Sequence, residues 1–282
     1  GISATMDDMP TDVHEFLPMF ILKTKCFYSN IKKAFDLLKE VAFESKLDNK
    51  KRLKEIIGQI YTNLKITLTE TGHKSAANRA MSYAAYREAI QGITMYETVK
   101  KWYEDFDEEY DNIVNGLKEA AKMIFEKQNM TISYTGKEEA PEFMKAEVES
   151  FIEGLYEDQK QGEKVKVTCT KSNEGFATAG GVQYVACAGN FKDAGLEYTG
   201  ALKVLQMIFS YEYLWIQIRV KGGAYGCMCS FSDQGDSMFV TYRDPNLSES
   251  YKVYDEAADY VEDFDVKLSK SNPRAFSRSV MP

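Results

Sequence analysis

Apolar and polar residues alternate along the chain with two different periods, and these periods predict its secondary structure. In many stretches an apolar residue recurs every three or four positions, which places these residues on one face of an α-helix. This spacing predicts helices over residues 29–42, 49–71, 74–86, 94–103, 106–125, within 137–163, over 198–218 and over 248–264. Short apolar or alternating runs predict strands at 17–26, 129–136, 165–169 and 182–187, and a hairpin from 227 to 240 with its turn at 233–236.

Residues that cap or interrupt helices support several of these boundaries. Asp48 or Asn49 can cap the second helix, because a side-chain oxygen there accepts a hydrogen bond from a free backbone N–H group. Gly72 is predicted to end that helix. The acidic run over residues 104–111 predicts a helix N-terminus, where the helix dipole favours carboxylates, rather than a metal site.

A polar stretch at residues 157–164 divides the predicted elements into two domains. It contains no apolar residue, which is typical of a connection between domains. We therefore predict a first domain over residues 1–136, a helical linker over 137–163 and a second domain over 164–265. The tail over 266–282 carries basic residues without a periodic apolar face, so we expect it to be disordered or non-native, with a basic docking tail as the alternative.

Composition narrows the class of protein. Of the 282 residues, 44% are hydrophobic and 28% are charged, proportions typical of a globular domain. The net charge is −8, and an acidic chain repels phosphate groups, so we expect no nucleic-acid partner. No apolar run approaches the roughly 20 residues that span a bilayer, and no signal peptide is visible, so we expect no membrane association and a cytoplasmic location.

Five cysteines are scattered through the chain, at positions 26, 169, 187, 227 and 229. An odd number at irregular spacing indicates a reduced compartment rather than a disulfide framework. Cys227 and Cys229 share one face of a predicted strand, but no second pair of ligands accompanies them. We therefore expect free thiols there and no zinc site.

The candidate chemistry lies between the helix over 198–218 and the hairpin, in the stretch Arg219-Val220-Lys221-Gly222-Gly223-Ala224-Tyr225-Gly226. Adjacent glycines permit a positive φ and the close approach of another chain. Arg219 offers a fork of N–H donors and Tyr225 a phenolic hydroxyl, so together they could bind a carbonyl or an oxyanion. The alternative is an ordinary turn with a surface arginine and a tyrosine whose ring fills the core.

This stretch, from Ile218 to Gly226, and the later Thr241-Tyr242-Arg243-Asp244-Pro245 resemble the C-terminal half of insulinase-type zinc metallopeptidases, nearest to the presequence-protease-like branch. The resemblance extends weakly back to about residue 11 and ends near residue 265. It implies an α/β (α+β) fold of two-layer domains, in which helices cover an antiparallel-rich sheet. The chain would then start inside one helix-rich peptidase-like domain and continue into a second, incomplete one.

The family's zinc ligands are missing from this sequence. The resemblance implies an H-x-x-E-H motif on a helix of the N-terminal half, where two histidines bind zinc and the glutamate acts as base. Only His14 and His73 occur here, and neither has a second histidine on its helix. We therefore expect no metal and no cofactor in this chain, with zinc held by the N-terminal half of the same parent. His14 is expected to form a surface pair with Glu15, and His73 to cap or pack at a helix end.

The resemblance also implies roles for the glycine-rich stretch. Arg219 and Tyr225 would be catalytic, and Arg219, Gly222 and Gly223 would bind the peptide substrate as this half closes over the zinc half. Arg243 and Asp244 are expected to pair and to fix the turn from strand to helix. The intact parent would be a bacterial-type zinc endopeptidase acting on unfolded peptides, and this chain alone would be inactive. A non-catalytic structural or peptide-binding homologue is the alternative.

Overall fold

The computed structural model describes residues 1–9, 12–83, 90–136, 140–157, 173–178 and 180–264. The predicted strand at 165–169, the predicted domain boundary around 157–164 and the tail over 266–282 lie largely or wholly outside these residues, so they stay predictions. Within the described part of the chain, no helix is both long and apolar enough to cross a membrane.

The chain combines helices with a smaller number of strands, which confirms the predicted α+β class. The strands are β1 (Ile2–Met9), β2 (Asp12–Leu22), β3 (Ala186–Asn190), β4 (Gly226–Phe231) and β5 (Asp236–Tyr242). The helices are α1 (Ile31–Phe43), α2 (Lys50–Glu70), α3 (Gly72–Met81), α4 (Gly92–Glu104), α5 (Phe106–Ile124), α6 (Ala140–Ile152), α7 (Ala201–Ile208), α8 (Ser248–Asp255) and α9 (Ala257–Glu262).

The chain forms two compact units, each assembled from separated segments. Unit 1 comprises residues 1–7, 18–60 and 99–166, and unit 2 comprises residues 8–17, 61–98 and 167–282. The first half of α2 therefore belongs to unit 1 and its second half to unit 2.

Unit 1 is built around α1 and α6, which pack against each other through aromatic rings. Phe35 and Phe151 are buried with their ring centroids 6.4 Å apart, and Phe43 lies 5.3 Å from Phe151 and 6.1 Å from Phe125. Such edge-on and tilted contacts are the favoured geometry for aromatic pairs, and burial of these rings stabilises the unit.

Two helices of unit 1 begin at the polar residues that the sequence predicts for their N-termini. The Asn49 Oδ1 atom accepts a hydrogen bond from the Arg52 N–H at 3.0 Å, which confirms Asn49 as the cap of α2. The acidic run begins α5 as predicted, with Asp107 in its first turn, where it pairs with Lys50 at 2.8 Å.

Unit 2 contains a three-stranded antiparallel sheet in the order β3-β5-β4. Val240 of β5 lies opposite Ala186 of β3 and Met228 of β4. The helical segment from α7 onward covers one face of the sheet together with α8 and α9, and α3 packs against β3 and β5. The core between them is made of buried apolar side chains: Val185, Phe209, Tyr213, Leu214, Ile218, Ala224, Cys229, Tyr254 and Ala257.

Several predicted boundaries are wrong in instructive ways. Residues 129–136 do not form a strand: a 3-10 turn at Lys127–Asn129 leads into irregular chain. A ladder needs a partner strand, and none of the described strands pairs with this segment. The strand predicted at 182–187 lies at 186–190 instead, where β5 supplies the partner. Gly72 begins α3 rather than ending α2.

Candidate functional site

The helix that carries the glycine-rich stretch widens before it ends. After α7 the chain continues as π-helix over Phe209–Tyr213 and Trp215–Lys221. The Gly222 N–H donates to the Gln217 carbonyl at 3.0 Å, which is the five-residue spacing of a π-turn. Leu214 and Ile218 remain buried on one side of this segment, while Trp215 is 39% exposed on the other. Single π-turns are frequent at functional sites, since they change the direction in which nearby side chains project.

The two glycines are required by the geometry of the helix end. Gly223 has a φ of +79°, and its N–H donates to the Arg219 carbonyl at 3.1 Å. At Gly222 a Cβ atom would lie 2.6 Å from the Ile218 carbonyl oxygen, too close for any side chain without a backbone shift. The glycine pair therefore ends the helix tightly and turns the chain toward β4, as the sequence predicts.

Arg219 and Tyr225, on opposite sides of this turn, lie next to each other. The Arg219 Cζ atom is 4.1 Å from the centroid of the Trp215 ring and 5.6 Å from that of Tyr225. Tyr225 is 64% exposed, so the alternative in which its ring fills the core is wrong. Its backbone N–H donates to the Arg243 carbonyl at 3.2 Å, which fixes the start of β4 against the end of β5.

Behind Tyr225 the aromatic contacts continue as a row of rings that the sequence did not indicate. The Tyr225 ring lies 5.7 Å from Tyr242 in an edge-to-face arrangement. Tyr242 in turn lies 4.9 Å from His73 and 5.8 Å from Tyr184. We call Tyr225, Tyr242, His73 and Tyr184 the ring row. His73 and Tyr184 are far in sequence from Tyr225 and Tyr242, so no local pattern indicated these contacts.

His73 packs at the beginning of α3, which confirms the prediction that it lies at a helix end. Its Nδ1 atom is buried without a hydrogen-bond partner. Burial, together with the neighbouring charge of Lys74, lowers the pKa of His73, so the imidazole is neutral near pH 7. The Tyr184 ring can lie against the start of α3 because residue 72 is a glycine. A Cβ at that position would overlap the ring.

The turn after β5 is fixed by Asp244, but not through Arg243. Asp244 is fully buried; its Oδ1 accepts the Asn246 N–H at 2.9 Å and its Oδ2 accepts the Ser250 hydroxyl at 2.6 Å. The Asn246 side-chain amide donates to the Gly222 carbonyl, which ties this turn to the glycine pair. The predicted Arg243–Asp244 pair is therefore wrong, because the Arg243 guanidinium lies over the Tyr242 ring instead, 5.5 Å from its centroid.

The sulfur atoms near the site are inert thiols. Cys26, Cys187, Cys227 and Cys229 are free in the structure, whereas Cys169 lies outside the described residues. Burial raises the pKa of Cys227 to about 11 and that of Cys229 to about 12, so neither is a thiolate near neutral pH. In the described ranges no three His, Cys, Asp or Glu side chains converge on a point where a metal ion could be held.

Two family profiles match the chain. Residues 1–102 match a family described as associated with peptidases of family M16, subfamily C, and residues 173–273 match the PreP C-terminal domain. The chain belongs to the presequence-protease-like M16 peptidases. Residues of the ring row lie in both matched regions: His73 in the first, and Tyr184, Tyr225 and Tyr242 in the second.

Relatives of this M16 chain come from bacteria and from eukaryotic organelles. It is 36% identical over 256 residues to Protein HypA of Clostridium perfringens, which covers 89% of this chain and 26% of that protein. It is 27% identical over 255 residues to presequence protease 1, chloroplastic/mitochondrial, of Arabidopsis thaliana, covering 87% of this chain and 23% of the relative. For the mitochondrial presequence protease of Xenopus laevis the identity is 22%, with 90% and 28% covered. The chain thus spans about a quarter of the length of the curated relatives it matches.

Proposed function

We propose that this chain is the non-zinc, C-terminal portion of a zinc-dependent endopeptidase that degrades unfolded peptides, and that it contributes Arg219 and Tyr225 to the bound peptide. The family supports a peptidase, and one structural observation supports these two residues. The Arg219 guanidinium and an exposed Tyr225 ring are held together at the end of a helical segment that is anchored by the buried side chains of Leu214 and Ile218. Exposed functional side chains on a rigid, buried support are the arrangement expected of a binding or catalytic site.

Arg219 would hold a carbonyl group of the peptide. A guanidinium has five N–H donors in the plane of the group, and stacking on the Trp215 ring uses its face rather than these donors. The ring also restricts the side chain, so less conformational freedom is lost when a ligand binds. Gly222 and Gly223, which have no side chains, would let the extended peptide approach the backbone closely.

Tyr225 would donate its hydroxyl to the oxyanion that develops as water attacks the peptide carbonyl. Such a donor is effective when it is already in place before the reaction. Here the Tyr242 ring restrains Tyr225 from one side, and the hydrogen bond from the Tyr225 N–H to the Arg243 carbonyl fixes its backbone.

In this proposal the zinc ion is bound by another part of the parent enzyme. The sequence has no H-x-x-E-H motif, so we assign the ion to the N-terminal half of the parent, over which this portion would close around the peptide. In the intact enzyme that ion would supply the activated water. The same proposal makes this chain inactive by itself and places the parent in a bacterial-type cytoplasm, without a membrane or nucleic-acid partner.

The test is Tyr225→Phe in the reconstituted parent. The change removes one hydroxyl and keeps the ring, so we expect turnover to fall about 10²-fold or more with little change in KM. Arg219→Ala should weaken peptide binding as well, because it would contact the peptide before the reaction. If Tyr225→Phe is as stable as the parent and turns over within about twofold of it, the proposed role is wrong and the structural or peptide-binding alternative gains support.

A further inference from the structure

Arg243, at the end of β5, has an unusual and well-supported backbone conformation. Its φ is 51°, and it is the one residue other than glycine with a positive φ in the described part of the chain. The backbone on both sides is held: Asp244 exchanges two hydrogen bonds with Gln183, at 2.8 and 2.9 Å, and the Arg243 carbonyl accepts the Tyr225 N–H. Strained backbone conformations that are held in this way are concentrated at functional sites, which makes Arg243 a candidate functional residue.

The charge around the ring row differs from that of the whole chain. The chain carries −8 overall, yet Arg219 and Arg243 lie against the contacting rings of Tyr225 and Tyr242, one guanidinium on each ring. The nearest carboxylate in sequence, Asp244, is fully buried and already bonded through both oxygens. The described ranges contain two other arginines, Arg52 and Arg79, and each of these forms an ion pair with a glutamate.

None of the ion pairs in the described part of the chain involves Arg219 or Arg243. Both guanidinium groups lie beside aromatic rings rather than carboxylates, and each carries five N–H donors that a ligand can use. Two such groups on adjoining rings carry two positive charges against the single carboxylate of Asp244, and a carboxylate is the group that an arginine fork binds best among those a peptide carries.

We propose that Arg243 binds a carboxylate of the peptide substrate. The inference rests on the proposed function, in which Arg219 holds a carbonyl of the same peptide. The carboxylate could belong to an Asp or Glu side chain or to the free C-terminus of the peptide, because the two present the same pair of oxygens.

The experiment uses the chain itself and the fluorescence of Trp215, which lies against Arg219. Trp102 is replaced by phenylalanine so that Trp215 is the sole reporter. Three short alanine-serine peptides with blocked ends are titrated: one with a central glutamate, one with glutamine in its place, and the glutamine peptide with a free C-terminal carboxylate. We expect the glutamate peptide to bind about fivefold to tenfold more tightly than the glutamine peptide, which is the usual advantage of a charge-assisted bond.

Arg243→Asn is the decisive variant. Asparagine tolerates positive φ, so this change removes the charge without disturbing the turn. It should abolish the preference for the carboxylate and leave binding of the glutamine peptide within about twofold. Arg52→Gln, which removes an arginine paired with Glu55 on α2, is the matched control and should leave the preference intact. A preference shown only by the peptide with a free C-terminus would identify that group as the ligand.

The proposal is overturned if the glutamate, glutamine and free-terminus peptides bind equally, if none of them binds, or if Arg243→Asn keeps the preference. Arg219→Ala separates this result from the proposed function. If it weakens all peptides alike while Arg243→Asn changes nothing, Arg219 binds peptide and Arg243 does not. If Arg219→Ala changes nothing while Arg243→Asn removes the preference, the carboxylate site stands and the role of Arg219 fails.

Discussion

Two aromatic clusters, one in each compact unit, have similar ring geometry and different surroundings. In unit 1 three contacting pairs among the rings of Phe35, Phe43, Phe125 and Phe151 have centroids 5.3 to 6.4 Å apart. In the ring row of unit 2 successive centroids are 4.9 to 6.3 Å apart. The first cluster is hydrocarbon only and contains buried rings, whereas the second has hydroxyls, an imidazole and two guanidinium groups, and ends in an exposed tyrosine.

Ring contacts alone therefore do not mark a site. The phenylalanine cluster is explained by burial of apolar surface and dense packing. The ring row is distinguished by the backbone around it, with a positive φ at Gly223 and at Arg243, a glycine whose Cβ would clash at position 222, and a π-turn. Of these features, the positive φ of Arg243 is strained, because this residue is not a glycine, and strain of this kind is concentrated at functional sites.

The largest effect is expected from Phe151→Ala in unit 1. Removing a buried ring that contacts Phe35 and Phe43 leaves a cavity, so the free energy of unfolding should fall by about 3–5 kcal/mol. This loss is measured by chemical denaturation, followed by the fluorescence of Trp102 in a variant where Trp215 is phenylalanine. The control Phe151→Leu should lose less than half as much unfolding free energy as Phe151→Ala. A loss below about 1 kcal/mol would mean that this cluster is not a packed core.

Gly222→Ala should give the next largest effect and test the backbone of the site. The added methyl meets the Ile218 carbonyl oxygen, so we expect a loss of about 1–3 kcal/mol in unfolding free energy. Gly116→Ala on α5 is the matched control, because its Cβ meets open space there and alanine favours a helix by about 0.5–1 kcal/mol. The two substitutions should thus have opposite signs in thermal denaturation, and equal signs would contradict the described helix end.

The sequence predicted the local features of these regions and missed those that depend on distant partners. The helical spacing, the Asn49 cap and the Gly222-Gly223 turn are local, and each is present. The contact of His73 with Tyr242 joins residues that are far apart in sequence, so no local pattern could reveal it. The strand expected at 129–136 failed for the same reason, since pairing needs a neighbour that alternation does not supply.

A pair of tyrosines within unit 2 sharpens the comparison between packing and function. The buried Tyr254 hydroxyl donates to the Val185 carbonyl at 2.9 Å, and burial raises its pKa well above the usual range. Tyr254→Phe should therefore cost about 1–1.5 kcal/mol, because it leaves a buried carbonyl without that donor. Tyr225→Phe changes an exposed ring and should alter the unfolding free energy by less than about 0.5 kcal/mol. Urea denaturation of both variants measures the two losses in unfolding free energy. If Tyr225→Phe loses more than Tyr254→Phe, the Tyr225 hydroxyl stabilises the fold, which would contradict its assignment to the peptide substrate.

The smallest effect on stability is expected from the ion pair of an arginine in unit 2. Unlike Arg219 and Arg243, Arg79 binds an acidic partner, donating to both oxygens of Glu174 at 2.6 and 2.7 Å. This bidentate pair, with the Tyr83 hydroxyl, lowers the pKa of Glu174 from 4.5 to about 2. Because the pair is partly exposed to solvent, we expect Glu174→Gln to cost only about 1 kcal/mol or less at neutral pH.

The pH dependence of that loss follows from the direction of the shift. The folded state holds Glu174 ionised at a pH where the unfolded chain has protonated it, so the carboxylate stabilises the fold above about pH 4.5 and loses this effect as the pH falls toward 2. The difference in unfolding free energy between the wild type and Glu174→Gln should therefore shrink below pH 4.5. Glu55→Gln removes the exposed partner of Arg52 and should cost only a few tenths of a kcal/mol at neutral pH. If the Glu174→Gln difference stays constant from pH 7 to pH 3, the ion pair between Arg79 and Glu174 does not stabilise unit 2.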